Sequence, residues 1–180
     1  MKRYLLSLAL LAAGNAQAWD CKYEKDIDLT LDLAGSEQLS VLAAAGDLAI
    51  TGAAGTGEAQ VRGKVCVSEE EWLDESGVVT EGGPNASIAV TLPDSDTGWN
   101  FMGSRYAWVD LDITVPAGLA LDIRDSSGDI ELEDVNGGTV LKDSSGDIKL
   151  WRIDGDVTVR QDSSGDIVGH EIQGSVMIEH

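Results

Sequence analysis

Asp125-Ser126-Ser127-Gly128-Asp129-Ile130 recurs as Asp143-Ser144-Ser145-Gly146-Asp147-Ile148 and again as Asp162-Ser163-Ser164-Gly165-Asp166-Ile167, at periods of 18 and 19 residues. A motif returning at a fixed period near 20 residues marks a stack of like units, because one unit cannot bury its apolar face without a neighbour. A second signal falls between the copies, in Val135-Asn136-Gly137, Ile153-Asp154-Gly155 and Ile172-Gln173-Gly174, so each unit has two turns and two short strands. Superposing the copies aligns Ile130 with Ile148 and Ile167, Leu132 with Leu150 and Gly169, Val135 with Ile153 and Ile172, Thr139 with Val157 and Val176, and Leu141 with Val159 and Ile178. These rows are the expected core. The outward positions support the same register, since stacking sets Glu131 beside Lys149 and places Arg152 between Asp134 and Glu171. The expected fold is all-β: a β-solenoid, a single-stranded β-helix-like stack of coils of about 18–19 residues, preceded by an irregular N-terminal β region with one short helix.

Upstream, apolar and polar residues alternate at Ile27, Leu29, Leu31, Leu33, at Ile88, Val90, Leu92, and at Val109, Leu111, Ile113, Val115. Period two predicts half-buried strands. The helix is expected at Ser68-Glu69-Glu70-Glu71-Trp72-Leu73, where Ser and Glu stand at capping-box spacing before an apolar pair.

The chain opens with Met1-Lys2-Arg3, an apolar run from Tyr4 to Ala13 and the small-residue pattern Ala16-Gln17-Ala18, the form of a secretory signal peptide over residues 1–18. The run is too short to span a membrane. Residues 19–118 then form the N-terminal β region and residues 119–180 the repeat coils, continuous as one domain. Export to the periplasm or cell surface is expected. The only cysteines, Cys21 and Cys66, fall in the exported part, where oxidising conditions favour a disulfide between them. The chain has 12 basic and 32 acidic residues, and losing Lys2 and Arg3 leaves 10 against 32, a net charge of −22. Nucleic acid and anionic lipid are disfavoured partners for such a chain as a whole. With 43% hydrophobic residues, the acid decorates a folded surface rather than a disordered tail.

Val109-Asp110-Leu111-Asp112-Ile113-Thr114-Val115-Pro116-Ala117-Gly118 followed by three Ser-Ser-Gly-Asp-Ile copies resembles the putative adhesin family of bacterial envelope repeat proteins. A weaker copy, Ala45-Gly46-Asp47-Leu48-Ala49-Ile50-Thr51-Gly52, is similar to that family's opening coil. The resemblance implies a β-solenoid and an adhesion-type or structural role in the envelope. It implies no catalytic residues. The chain departs from the commoner pattern in being short and in its early cysteine pair, and it stops at His180 where a fourth Ser-Gly-Asp turn would begin: either the stack ends in an unfinished coil, whose open C-terminal edge could self-associate, or the sequence is a fragment of a longer chain.

Two constellations are candidates for binding. Stacking lines up Asp129, Asp147 and Asp166 in one row and Asp125, Asp143 and Asp162 in another. Like charges about 5 Å apart repel, and Ca²⁺ would relieve the repulsion with six to eight oxygens. The competing reading is structural: Gly128, Gly146 and Gly165 take positive φ, and the Asp side chains cap free amides. No other cofactor is implied. The second constellation is aromatic. Trp99, Phe101, Tyr106 and Trp108, with Trp151 farther on, make a candidate glycan-stacking surface, against which stands the reading that they plug an end of the stack. A non-enzymatic protein is expected, with a glycan or another envelope protein as partner: the chain has no nucleophile elbow, no zinc spacing and no phosphate loop, and the less favoured alternative is a carbohydrate-active enzyme using paired carboxylates.

Overall fold

The computed structural model describes residues 21–93, 105–161 and 164–179. The signal segment, Trp99, Phe101 and Asp162 lie outside the described residues. The strands are β1 (Tyr23–Asp32), β2 (Gln38–Leu42), β3 (Leu48–Ala53), β4 (Glu58–Val67), β5 (Gly77–Glu81), β6 (Asn85–Thr91), β7 (Ala107–Pro116), β8 (Ala120–Arg124), β9 (Ile130–Glu133), β10 (Thr139–Lys142), β11 (Ile148–Ile153), β12 (Val157–Gln161), β13 (Ile167–Ile172) and β14 (Val176–Ile178); the helix α1 (Trp72–Glu75) lies between β4 and β5. They form two mixed seven-stranded sheets, ordered β1-β4-β7-β3-β9-β11-β13 and β14-β12-β10-β8-β2-β6-β5. Inward side chains of both, among them Ile113, Ile130 and Ile148 from the first and Val41, Ile123 and Leu141 from the second, belong to one buried cluster.

The copies stack in register. Ile148 pairs with Ile130 on one side and Ile167 on the other, and Leu150 lies between Leu132 and Gly169. In the second sheet Thr139 and Leu141 pair with Val157 and Val159, which pair with Val176 and Ile178. The turns stack as well: Gly128 N donates to Ser145 O and Gly146 N to Ser164 O, each at 3.1 Å. At these turns glycine is required twice over. Gly146 has φ +144°, and a Cβ there would clash with the Gly128 carbonyl oxygen, far inside van der Waals contact. The repeat of Gly in the sequence therefore records backbone packed on backbone as well as a turn conformation.

Order along the chain is not order in space. The weak copy pairs in register with the first strong one, Leu48 with Ile130 and Ile50 with Leu132. Yet β3 also pairs with β7, Leu48 with Leu111, so the early β2–β3 segment is inserted between β6–β7 and β8–β9. Charges placed opposite by register do not always bond directly: Lys149 pairs in register with Glu131, but its ammonium binds Asp129 at 2.8 Å.

The predicted capping box does not form. α1 begins at Trp72 with Glu71 as its N-cap and no side-chain cap hydrogen bond. Ser68 is instead taken by the neighbouring strand, its N donating to Tyr106 O at 2.9 Å and its Oγ accepting from Tyr106 N at 3.1 Å. Tertiary pairing outbid the local cap, and the helix shrank to a single turn that closes one end. Trp72 is buried there with the ring facing Arg105 at 5.2 Å, and Lys25 Nζ caps the helix end by donating to the carbonyls of Leu73 and Ser76. Beside it the pairing turns antiparallel: β1 with β4, β4 with β7, and β5 with β6. The Cys21–Cys66 disulfide, with Cα atoms 5.5 Å apart, ties the chain before β1 to β4. At the opposite end Val168, Val176, Met177 and Ile178 are exposed along β13 and β14.

Candidate functional site

The two Asp rows diverge. Asp110 Oδ1 accepts the amide of Asp47, Asp47 Oδ1 that of Asp129, Asp129 Oδ1 that of Asp147, and Asp147 Oδ1 that of Asp166, all at 3.0–3.1 Å. Each carboxylate thus clamps the next turn, as strand-to-strand pairing brings successive turns about 4.8 Å apart. The Lys149 ammonium and the Asp147 amide hold the Asp129 carboxyl below the usual carboxylate range. The other row points inward: Asp125 and Asp143 are buried, and Ser145 N donates to Asp143 Oδ1 at 3.2 Å. Burial pushes Asp125 up to about 7; Asp143 and Asp47 add to the rise, while the amides of Ser126 and Ser127 oppose it. Because one row is spent on amides and the other is turned into the core, their oxygens do not converge. Among the described residues no three His, Cys, Asp or Glu side chains gather to hold a metal ion, and the candidate calcium set is not assembled by the described members Asp125, Asp129, Asp143, Asp147 and Asp166.

The aromatic candidates separate too. Tyr106 and Trp108 lie 4.9 Å apart with rings tilted by 34° at the start of β7, and Lys22 N donates to the Tyr106 hydroxyl at 3.2 Å. Trp151 belongs to another place. Register puts it level with Glu133, Thr51 and Thr114, six residues beyond Trp108 and three strands away, roughly 20 Å along and 14 Å across the sheet. There its indole stacks on His170, centroids 4.3 Å apart and 8° from parallel. Trp151 and Trp108 cannot share one small ligand. Strand register sets Trp151 between Glu133 and His170. Beside this pair the corner residues Asp134, Arg152 and Glu171 adopt left-handed φ of 57°, 51° and 56°, a conformation costing non-glycine residues ~1–2 kcal/mol each. Arg152 braces the corner, donating to both Asp134 oxygens at 2.7 and 3.0 Å and to Glu133, and it holds the Asp134 carboxyl below its ordinary range.

An open groove of about 990 Å³ lies beside Trp108, bounded by the disulfide on one side and the Ala45–Asp47 and Ser127–Gly128 turns on the other. Glu24, Asp47, Asp110 and Lys64 line it, with Lys64 bound to Glu24 at 3.2 Å. These groups come from β1, β4, β7 and the turn before β3, so only the inserted order of strands brings them together. An indole face flanked by hydrogen-bonding carboxylates and an ammonium suits a ligand with an apolar face and a rim of hydroxyls.

No protein-family model and no curated protein matches the chain. Among solved structures, a "putative cell adhesion protein" from Clostridium sporogenes aligns over 87% of this chain and 99% of its own at 15% identity and a TM-score of 0.41. A "putative adhesin" from Bacteroides fragilis aligns over 86% and 96% at 11% identity and a TM-score of 0.28. A "putative lipid binding protein" from Parabacteroides distasonis aligns over 88% and 98% at 9% identity and a TM-score of 0.34. At this level of similarity, the fold and the site rest on the chain's own residues. No helix among the described residues is long and apolar enough to cross a membrane.

Proposed function

We propose that this is an exported, non-enzymatic envelope protein of the adhesion type, a β-solenoid whose stacked coils hold a carbohydrate-binding groove at Trp108. The observation that carries the reading is the groove itself: an indole, three carboxylates and an ammonium set around an open cleft beside a disulfide. Its walls are rigid, since the Asp110–Asp47–Asp129 clamp fixes the turns and the disulfide fixes β4. Preorganised walls lower the entropic cost of holding a sugar. Of the candidate calcium carboxylates, Asp129 and Asp147 accept turn amides and Asp125 and Asp143 are buried, so the reading rests on the groove rather than on the Asp rows. A glycan array probed with the mature chain tests this: hits on neutral oligosaccharides that disappear with Trp108→Ala support it, and an array as silent for the native chain as for the variant sinks it.

A further inference from the structure

The two sheets differ in charge. Strands of the first sheet carry ten acidic and five basic residues. Those of the second carry only Asp122 and Glu81 against Arg124, Lys142 and Arg160. In a chain of net charge −20, one sheet therefore has a local excess of cations.

These three cations stand on adjacent strands. Lys142 pairs in register with Arg124, and Arg160 occupies the bulge where Leu141 pairs with Val159 and Lys142 with Gln161. Their neighbours Ile123, Leu141 and Val159 are buried, so strand alternation turns all three outward. Spacing between strands sets them roughly 5 Å apart along the stack axis. Arg124 is ion-paired with Asp122 at 3.3 Å and is still half exposed; Lys142 and Arg160 make no ion pair among the described residues. The same row runs on into Leu42, Ala89 and Val79, of which Leu42 and Val79 are exposed.

We propose that the Arg124–Lys142–Arg160 row is a binding surface for a linear acidic polysaccharide lying along the stack axis. A chain of acidic sugars offers one carboxylate per residue at a spacing comparable to that of the strands, and Leu42 can take the apolar face of a ring. The row is single file, whereas a lipid headgroup layer is met by cations spread over a broad face. No strand of this sheet carries an aromatic residue on which nucleic-acid bases could stack. The protein's overall negative charge does not cancel the row, because at physiological salt screening confines each charge to about 8 Å. This surface is separate from the Trp108 groove and does not depend on it.

The test is calorimetric titration of the native protein with polygalacturonate and with neutral dextran at physiological salt, thermal melts confirming that each variant folds. Expected is binding to polygalacturonate alone, weakened about fivefold by Lys142→Gln or Arg124→Gln, as for one lost surface charge pair. The triple variant with Arg160→Gln should lose binding, and Arg62→Gln, an equal charge change on the other sheet, should leave it intact. Three results would overturn the proposal: no polygalacturonate binding by folded protein, equal weakening by Arg62→Gln, or binding to phosphatidylserine vesicles without binding to the polymer.

Discussion

The two edges of the described sheets differ. At one, antiparallel strands, a one-turn helix, a buried tryptophan and a disulfide close the core; at the other, the inward rows continue to Val176 and Ile178 and are exposed there. Between them the Asp-Ser-Ser-Gly-Asp-Ile turns recur and their strands pair in register. The contrast teaches that repetition specifies the middle of such a protein cheaply, because one solved turn serves for all. An end cannot be copied from a neighbour. It needs unique residues, and at the closed end these are Trp72, Lys25, Cys21 and Cys66.

The largest effect should follow from breaking the middle. Gly146→Ala places a methyl group against the Gly128 carbonyl at a φ of +144°, and no neighbouring strand can move without unpairing another. Loss of a cooperative thermal transition is expected. Gly174→Ala makes the same kind of clash, with Gly155, but beside β14, which has one partner strand and can shift. It should fold with a lowered Tm, and equal damage from both substitutions would show that the ends are as constrained as the centre.

Opening the closed end should cost less. Replacing Cys21 and Cys66 by Ser releases a loop with a sequence separation of 45. The chain-entropy model puts the loss at ~4 kcal/mol. Urea denaturation of the oxidised protein and the double variant measures it, and coincident curves would mean that β1 holds its place through strand pairing and Lys25 alone.

The smallest effect is a pH dependence seated in the interior turns. Asp125 is raised from an ordinary 3.8 to about 7, so the folded state binds its proton more tightly than the unfolded chain does. The stabilisation from this proton is complete below pH ~4 and is lost as pH rises through 7. Tm should fall between pH 5 and 8, and Asp125→Asn should flatten that slope. A variant profile parallel to the native one would place the titrating group elsewhere.

Much of this could be read before any coordinates. The register of Ile130, Ile148 and Ile167 followed from period alone, because a stack that buries one face admits one alignment of its copies. The cysteine pair was legible for want of any other partner. The groove was not: it joins Glu24, Lys64, Asp110 and Asp47, four residues from segments with no shared motif, and its tryptophan belonged to an aromatic set of which Trp151 proved distant. The Asp rows looked equivalent in the repeat, yet Asp129 clamps an amide at the surface while Asp125 is buried four residues earlier in the same turn. Ser68 had the local signature of a helix cap and was claimed by Tyr106 across the fold.

The amino-acid sequence by itself determined the strands, turns and vertical alignment of the three Asp-Ser-Ser-Gly-Asp-Ile copies, because these depend on neighbours 18 or 19 residues away that carry like side chains. Only the tertiary structure decided that the β2–β3 segment slots between β6–β7 and β8–β9, and with it which unlike residues meet at the groove. Parallel pairing recognises an apolar face and a backbone edge, and several strands here offer both. Which edge is taken depends on how the whole set closes over one core, and no single segment carries that information.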